Sequence, residues 1–252
     1  MTDKQGHRKA LGVDIGGSST KFCLIDGEER TILKTKTIPH EHETNIYSIC
    51  SKIVNQIKMW GFEGSIGIGF PGIIDKMVVH DAPNLGGEWS GFDFKAQFSK
   101  HDFQVTSVLN DADAAAVAMI EQTAQWPEKK ILCLTIGTGI GSGWISDGEL
   151  LEGTEYGRHY SPRLQCTLEQ WASAKVIQEE GISLSEWVIR FADALNILVE
   201  RYSPDAIVLS GGITTDTESW LSELQALSPI RIGISDYSEH TGAYGAASHS
   251  LV

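Results

Sequence analysis

LGVDIGGSSTKFCLIDGE (Leu11 to Glu28) and LCLTIGTGIGSGWISDGE (Leu132 to Glu149) align without a gap at a constant offset of 121 residues. Leu11/Leu132, Ile15/Ile136, Gly16/Gly137, Asp26/Asp147, Gly27/Gly148 and Glu28/Glu149 are identical pairs. Each segment reads as an apolar strand, a turn of Gly, Ser and Thr, a second strand and an Asp-Gly turn. One glycine turn between apolar strands is unremarkable in any chain. A gapless match over two strands and two turns predicts a duplication, with two domains of like topology facing each other.

The intervening sequence has the punctuation of an α/β protein. Asn45 to Trp60 carries Ile46, Ile49, Ile53 and Ile57 at helical spacing behind Asn45 as a cap. Ser65 to Gly72 (SIGIGFPG) reads as a buried strand ending in a Pro-Gly turn, and Val105 to Asp111 as another strand. An alanine-rich helix follows over Ala112 to Ala124. LEQWASAKVIQEE and LSEWVIRFADALNILVERY read as helices, PDAIVLSGGI as a strand entering a Gly-Gly turn, and HTGAYGAASHSLV as a helix of small residues.

The chain has 252 residues and a formal net charge of −13, which argues against nucleic acid or an anionic membrane as main partner. Cys23, Cys50, Cys133 and Cys166 lack the spacing of a zinc site or a disulfide framework. MTDKQGHRKA has no signal-peptide run, no later stretch reaches membrane-spanning length, and a reducing cytoplasm is the expected compartment.

Three glycine turns follow strands, and each offers converging backbone N–H groups to an anion. They are Gly16-Gly17-Ser18 with Lys21 nearby, Gly137-Thr138-Gly139 with Gly141, and Gly211-Gly212 after Ser210. Facing each other, the first two would hold the phosphates of one extended donor. Asp14 would then stand near a Mg²⁺, directly or through water, because Mg²⁺ keeps water and takes few carboxylates. Asn110 and Asp111 stand at a strand-to-helix junction, where a carboxylate is favoured. Asp111, the first residue beyond the strand, is the candidate general base for an attacking hydroxyl, and either Asp111 or Asp113 would cap the helix. Asn84 in the Gly/Pro-rich stretch Ala82 to Asp93 can donate and accept with a sugar hydroxyl. Trp89 flanks a sugar or fills the core, and Glu155 and Glu169 are candidate ligands for vicinal diols. His40 and His42 read as a solvated loop rather than a metal site.

DIGGSSTK, IGFPGIID, APNLGGEWSGFD, VLNDADAAA, LTIGTGIGSG, TEYGRH and SGGI occur in the order seen in the ROK sugar kinases. The likeness is strongest to the polyphosphate glucokinase subgroup and runs from Leu11 to the C-terminus. The resemblance implies two ribonuclease-H-like domains of the actin/hexokinase superfamily around a cleft. The first would comprise residues 1–112 with a returning C-terminal helix, 241–252, and the second 113–240. It implies phosphoryl transfer from ATP or polyphosphate, with Mg²⁺, to the 6-hydroxyl of glucose or a related hexose, usually by a homodimer. By resemblance, Asp111 is the catalytic base, and Asp14, Gly16, Gly17, Ser18 and Lys21 form the first phosphate loop. Gly137, Thr138, Gly139 and Gly141 form the second, and Gly211 and Gly212 lie on the nucleotide side. Asn84, Asn110, Asp111, Glu155, Glu169 and His159 resemble the sugar ligands.

Three departures stand out. The zinc-binding cysteine cluster of many members is missing, so no structural zinc is expected. The family's E-x-G-H reads Glu155-Tyr156-Gly157-Arg158-His159, one residue too long, with Arg158 either bulging outward or meeting an anion. After Gly212 the turn is ITTDTES, where the polyphosphate enzymes carry lysines. Two further readings stay open: a sugar-binding sensor without chemistry, and a kinase for an N-acyl or amino hexose. A DNA-binding repressor is not expected, since only about ten residues precede the first strand and a helix-turn-helix needs more.

Overall fold

In the computed structural model, which describes residues 8–40, 45–82, 85 and 87–252, each repeated segment folds as a hairpin that founds its own five-stranded sheet. The chain divides into two compact units, Met1–Ala118 with Gly242–Val252, and Met119–Thr241.

In the first unit, β1 (Lys9–Ile15) and β2 (Ser19–Asp26) pair antiparallel with Ile15 opposite Thr20, so the turn between them is Gly16-Gly17-Ser18. β3 (Ile32–Pro39) forms the exposed edge. Helix α1 (Ile46–Trp60) leads to β4 (Ser65–Phe70), parallel to β1. The small hairpin β5 (Ile73–Asp75) and β6 (Val78–Asp81) and helix α2 (Phe94–Ser99) precede β7 (Gln104–Asn110), parallel to β4, and helix α3 (Asp111–Thr123). The sheet order is β3-β2-β1-β4-β7.

The expected helix signals act as read. The Asn45 side chain accepts from the Ser48 N–H, Ile46, Ile49, Ile53 and Ile57 are buried, and α1 stops at Gly61, whose φ of 59° suits glycine. Trp89 is a core residue: it is fully buried, its ring centroid is 4.9 Å from that of Phe70, and Phe92 and Phe94 also pack on it.

The second unit repeats the plan. β8 (Lys130–Ile136) and β9 (Ile140–Ser146) form the hairpin, and β10 (Glu149–Leu151) extends its edge. β11 (Tyr160–Ser161) pairs with β12 (Cys166–Thr167), ahead of helices α4 (Leu168–Ala172), α5 (Lys175–Glu180) and α6 (Leu184–Tyr202). β13 (Ala206–Ser210), α7 (Leu221–Leu227) and β14 (Arg231–Ile234) complete an order of β10-β9-β8-β13-β14, matching the first sheet place for place. The stretch expected as one helix over LEQWASAKVIQEE is two. Ser173 is extended between them (ψ 158°), and the Ala174 N–H donates to the Gly137 carbonyl at 3.0 Å. That bond ties the break to the second glycine turn.

The last helix, α8 (Thr241–His249), packs within the first unit almost without side chains. A Cβ on Gly12 of β1 would stand 1.7 Å from the Ala243 carbonyl oxygen, and one on Gly67 of β4 1.9 Å from that of Ala246. From the helix side, a Cβ on Gly245 would stand 1.7 Å from the Ala114 oxygen of α3. Backbone therefore lies on backbone, and only glycine fits. Tyr244 adds a hydrogen bond from its hydroxyl to the Arg30 carbonyl at 2.9 Å.

Gly12→Ala and Gly67→Ala should each destabilise the fold by about 1–3 kcal/mol or more, because the backbone of α8 must move. Gly17→Ala, with no heavy atom within 4 Å of the added carbon, should stay within about 0.5 kcal/mol of the parent. Urea unfolding of the three variants measures the contrast.

Candidate functional site

The first unit gathers its candidates at the carboxyl ends of its parallel strands. Asp14 on β1 is in register with Gly69 on β4, and Gly69 with Leu109 on β7, just before Asn110 and Asp111. A Cβ on Gly69 would lie 3.5 Å from Asp14 Oδ1 and 3.7 Å from the Asp111 Cα. Gly69 is thus the small residue between the two aspartates. On its other side the Asp14 carboxylate rests against the first turn of α8, where a Cβ on Gly242 would be 2.9 Å from Cγ and Oδ2. Burial pushes the Asp14 carboxyl above the usual carboxylate range, and Lys21, opposite it across the hairpin, offsets part of that rise.

Asn110, the residue before α3, caps the helix with its side-chain amide. Its Oδ1 accepts from the Ala112 N–H at 2.9 Å and the Asp113 N–H at 3.4 Å. Its Nδ2 donates to the Gly72 carbonyl at 3.2 Å, which fixes the Pro71-Gly72 turn. Asp111 Oδ1 accepts from the Ala112 N–H at 2.9 Å. In the first glycine turn, the Gly16 N–H donates to the Ser19 carbonyl at 2.9 Å, leaving Gly17 and Ser18 exposed at the tip. Asn84 and His42 lie outside the described residues. His40 does not sit in free solvent, because its ring contacts the Thr20 hydroxyl at 2.8 Å.

In the second unit the Gly137-Thr138-Gly139 turn closes by a Gly137 N–H bond to the Gly139 carbonyl at 3.0 Å, and Gly141 continues into β9 opposite Thr135. Gly211 leaves β13 with φ 103°, and a Cβ there would be 2.3 Å from the Ile136 oxygen, so the second and third glycine turns are neighbours. Gly212 opens a 3₁₀ turn in which the Thr214 hydroxyl donates to the Gly211 carbonyl at 2.8 Å and the Thr215 hydroxyl to that of Gly212 at 2.9 Å. Those hydroxyls are turned back onto the backbone. Glu169, at the start of α4, brings Oε2 to 2.7 Å from where a Gly139 Cβ would be.

The Thr154–His159 loop is zipped to Ser142 of β9. Ser142 Oγ donates to the Thr154 carbonyl at 3.0 Å and accepts from the Tyr156 N–H at 2.8 Å, while Thr154 Oγ1 donates to the Ser142 carbonyl at 2.7 Å. Gly157 lies so close to the Ile140 carbonyl that a Cβ would be 1.9 Å from its oxygen. The additional residue is absorbed by a 3₁₀ turn at Tyr156–Arg158. That turn folds Arg158 back onto Glu155, Nε to Oε2 3.6 Å, at the half-exposed surface. His159 goes instead to the end of α6, where the Tyr202 hydroxyl hydrogen-bonds its ring and Tyr156 stacks on Tyr202 at 4.0 Å between centroids. Burial, and secondarily Arg201, hold the His159 imidazole below its usual value. Tyr202 was not singled out from sequence, where only its place at the end of a helix hinted at it, and His40 was read only as part of a solvated loop.

The sequence profile described as the ROK family matches residues 10–159, more than half of the chain. The chain belongs to the ROK family. It is 28% identical to the polyphosphate glucokinase of Mycobacterium leprae over 88% of this chain and 69% of that protein. The crystal structure of the inorganic polyphosphate/ATP-glucomannokinase from Arthrobacter sp. strain KM superposes with a TM-score of 0.88 at 26% identity, covering 97% of this chain and 98% of that one. A ROK family glucokinase from Streptomyces griseus, solved with glucose and AMPPNP, has the same fold at a TM-score of 0.80 and 21% identity over 96% and 98% of the two chains. The architecture is the α/β fold of ROK sugar kinase structures, of the actin/hexokinase type.

His40 and His159 both titrate below their ordinary value. As pH falls the unfolded chain therefore takes up protons first, and stability should drop below pH about 6.5. Melting temperatures at neutral and mildly acidic pH should show the loss, and His159→Gln should lessen it. Asp14 works in the opposite sense, since burial penalises its charge. Asp14→Asn should melt higher than the parent in metal-free buffer at neutral pH.

Proposed function

We propose that this protein is a hexose kinase that transfers a phosphoryl group from ATP or inorganic polyphosphate to the 6-hydroxyl of glucose or a related hexose. The observation that carries the reading is the pair Asp14, on β1, and Asp111, just beyond β7, on either side of Gly69 of the intervening strand β4 and beside a glycine turn with exposed residues at its tip. The names of the relatives support both donors.

In this reading Asp111 accepts the proton of the attacking hydroxyl and orients its oxygen. Asn110 donates to the sugar with the amide hydrogen that Gly72 leaves unused. Asn84, Glu155, Glu169 and His159 complete the sugar contacts. Gly16, Gly17, Ser18 and Lys21 bind donor phosphate in the first unit. Gly137, Thr138, Gly139 and Gly141 do so in the second, with Gly211 and Gly212 on the nucleotide side. Asp14 fits Mg²⁺: its carboxylate is desolvated and raised in pKa, so a cation would relieve it. Among the described residues no group of three or more His, Cys, Asp or Glu could hold a metal, and a single carboxylate suits an ion that keeps its waters. Bound there, Mg²⁺ would neutralise charge on the transferring phosphoryl group. Among the described residues no helix is long and apolar enough to cross a membrane. The reading includes a homodimer in a reducing cytoplasm, without nucleic-acid or membrane partners.

A matrix of ATP and polyphosphate against glucose, mannose, N-acyl and amino hexoses should show transfer for at least one pair. Folded protein inactive with every pair would sink the proposal. Asp111→Asn should lose about 10²–10⁴ in turnover while keeping sugar affinity; near-normal turnover would remove Asp111 as base.

One observation favours a second reading, a sugar sensor without chemistry. Arg158 engages Glu155, and Tyr202 engages His159, so two sugar candidates already have partners. Tight hexose binding by calorimetry, with no transfer from either donor, would establish it.

A further inference from the structure

We propose that His40 is a positioning residue that holds the first glycine turn in its phosphate-binding shape. The inference rests on the kinase reading for its functional consequence, but its geometry stands alone. His40 makes two contacts with the turn and one with Thr20 just beyond it in β2. Its backbone N–H donates to the Ser18 carbonyl at 2.8 Å, its Nδ1 lies 3.4 Å from the Gly17 carbonyl oxygen, and its Nε2 lies 2.8 Å from Thr20 Oγ1. Thr20 is fully buried, so its hydroxyl gives the ring a fixed anchor.

In the neutral ring these partners select one tautomer. A carbonyl only accepts, so Nδ1 carries the hydrogen; Nε2 then accepts from the Thr20 hydroxyl. The ring is neutral, in keeping with a pKa lowered chiefly by burial. The strand end that carries it is fixed in turn by Lys52 of α1, whose Nζ donates to the Pro39 carbonyl at 3.2 Å.

Peptide planarity gives the arrangement its consequence. In a trans peptide the C=O and the following N–H point in opposite directions. With the carbonyls of Gly17 and Ser18 turned toward His40, the N–H groups of Ser18 and Ser19 point away from it. Those are the donors an anion at the tip of the turn would meet. Side-chain packing does not hold Gly17, because beyond its chain neighbours no heavy atom lies within 4 Å of where its side chain would begin. His40 is the part that fixes which way its peptides face.

The test compares the parent, His40→Ala and His40→Gln. His40→Ala should raise the KM for the phosphoryl donor about tenfold, as for one lost hydrogen bond to a ligand-binding element, with kcat and sugar KM changed less than about threefold. His40→Gln, which can still donate to Gly17 or accept from Thr20, should recover most of the loss. Amide hydrogen exchange of residues 16–20, measured without ligands, should speed up about tenfold in His40→Ala. Donor and sugar KM rising together with a lowered melting temperature, or no rescue by Gln, would make His40 merely structural and overturn the proposal. Unchanged exchange would overturn it as well. If the parent itself transfers no phosphate, the kinase reading falls, and the exchange measurement still decides whether His40 holds the turn.

Discussion

The structure of the first unit turns on a contact that involves no side chain. The carbonyl oxygens of Ala243 and Ala246 occupy the space that side chains of Gly12 and Gly67 would fill. Because both glycines sit mid-strand in neighbouring strands, the contact fixes the depth and direction of α8 together. The direction matters most. It aims the amino-terminal turn of the helix at Asp14, placing a partial positive charge against a desolvated carboxylate. Asp14 thus has Lys21 and a helix terminus to temper its charge, yet burial still dominates. In the proposed kinase reading, a cation bound there would relieve that cost.

The fold was legible because the duplication is written in gaps of zero. Strand order, both glycine turns and the residue offset all survive in the structure, and long amphipathic helices such as α1 and α6 follow from apolar spacing. The roles of individual side chains were less legible, since they depend on distant partners. Asn110 looked like a ligand and proves to cap α3, because the helix begins at Asp111, one residue before the Ala112 that the sequence suggests. Trp89 read equally as sugar platform or core, and the ring cluster that makes it core joins its near neighbours Phe92 and Phe94 to Phe70 from the end of β4. The break at Ser173 could not be foreseen from helical spacing, because the Ala174 N–H beside it pairs with a carbonyl distant in sequence, that of Gly137.

The loop from Thr154 to His159 shows how a motif accommodates an inserted residue. Ser142 and Thr154 hold its entry and Ile140 meets Gly157, so the front of the loop cannot shift. The surplus is taken up behind, in a single 3₁₀ turn whose last residue, Arg158, meets Glu155, and His159 after it joins an aromatic stack with Tyr156 and Tyr202. The charge and hydrogen-bonding of this wall therefore differ from those of an E-x-G-H loop, although the glycine that anchors it is unchanged.

The return of α8 also sets an order of events during synthesis. A chain made from its amino terminus exposes Gly12 and Gly67 early, while the helix that covers them belongs to Gly242–Val252. Until that segment has left the ribosome, one face of the central strands of the first sheet lacks its cover, even though all five strands are present. The second unit, Met119–Thr241, contains its own sheet and core and has no such wait. The unit translated first is thus the one completed last, contrary to the usual order in which amino-terminal domains fold first.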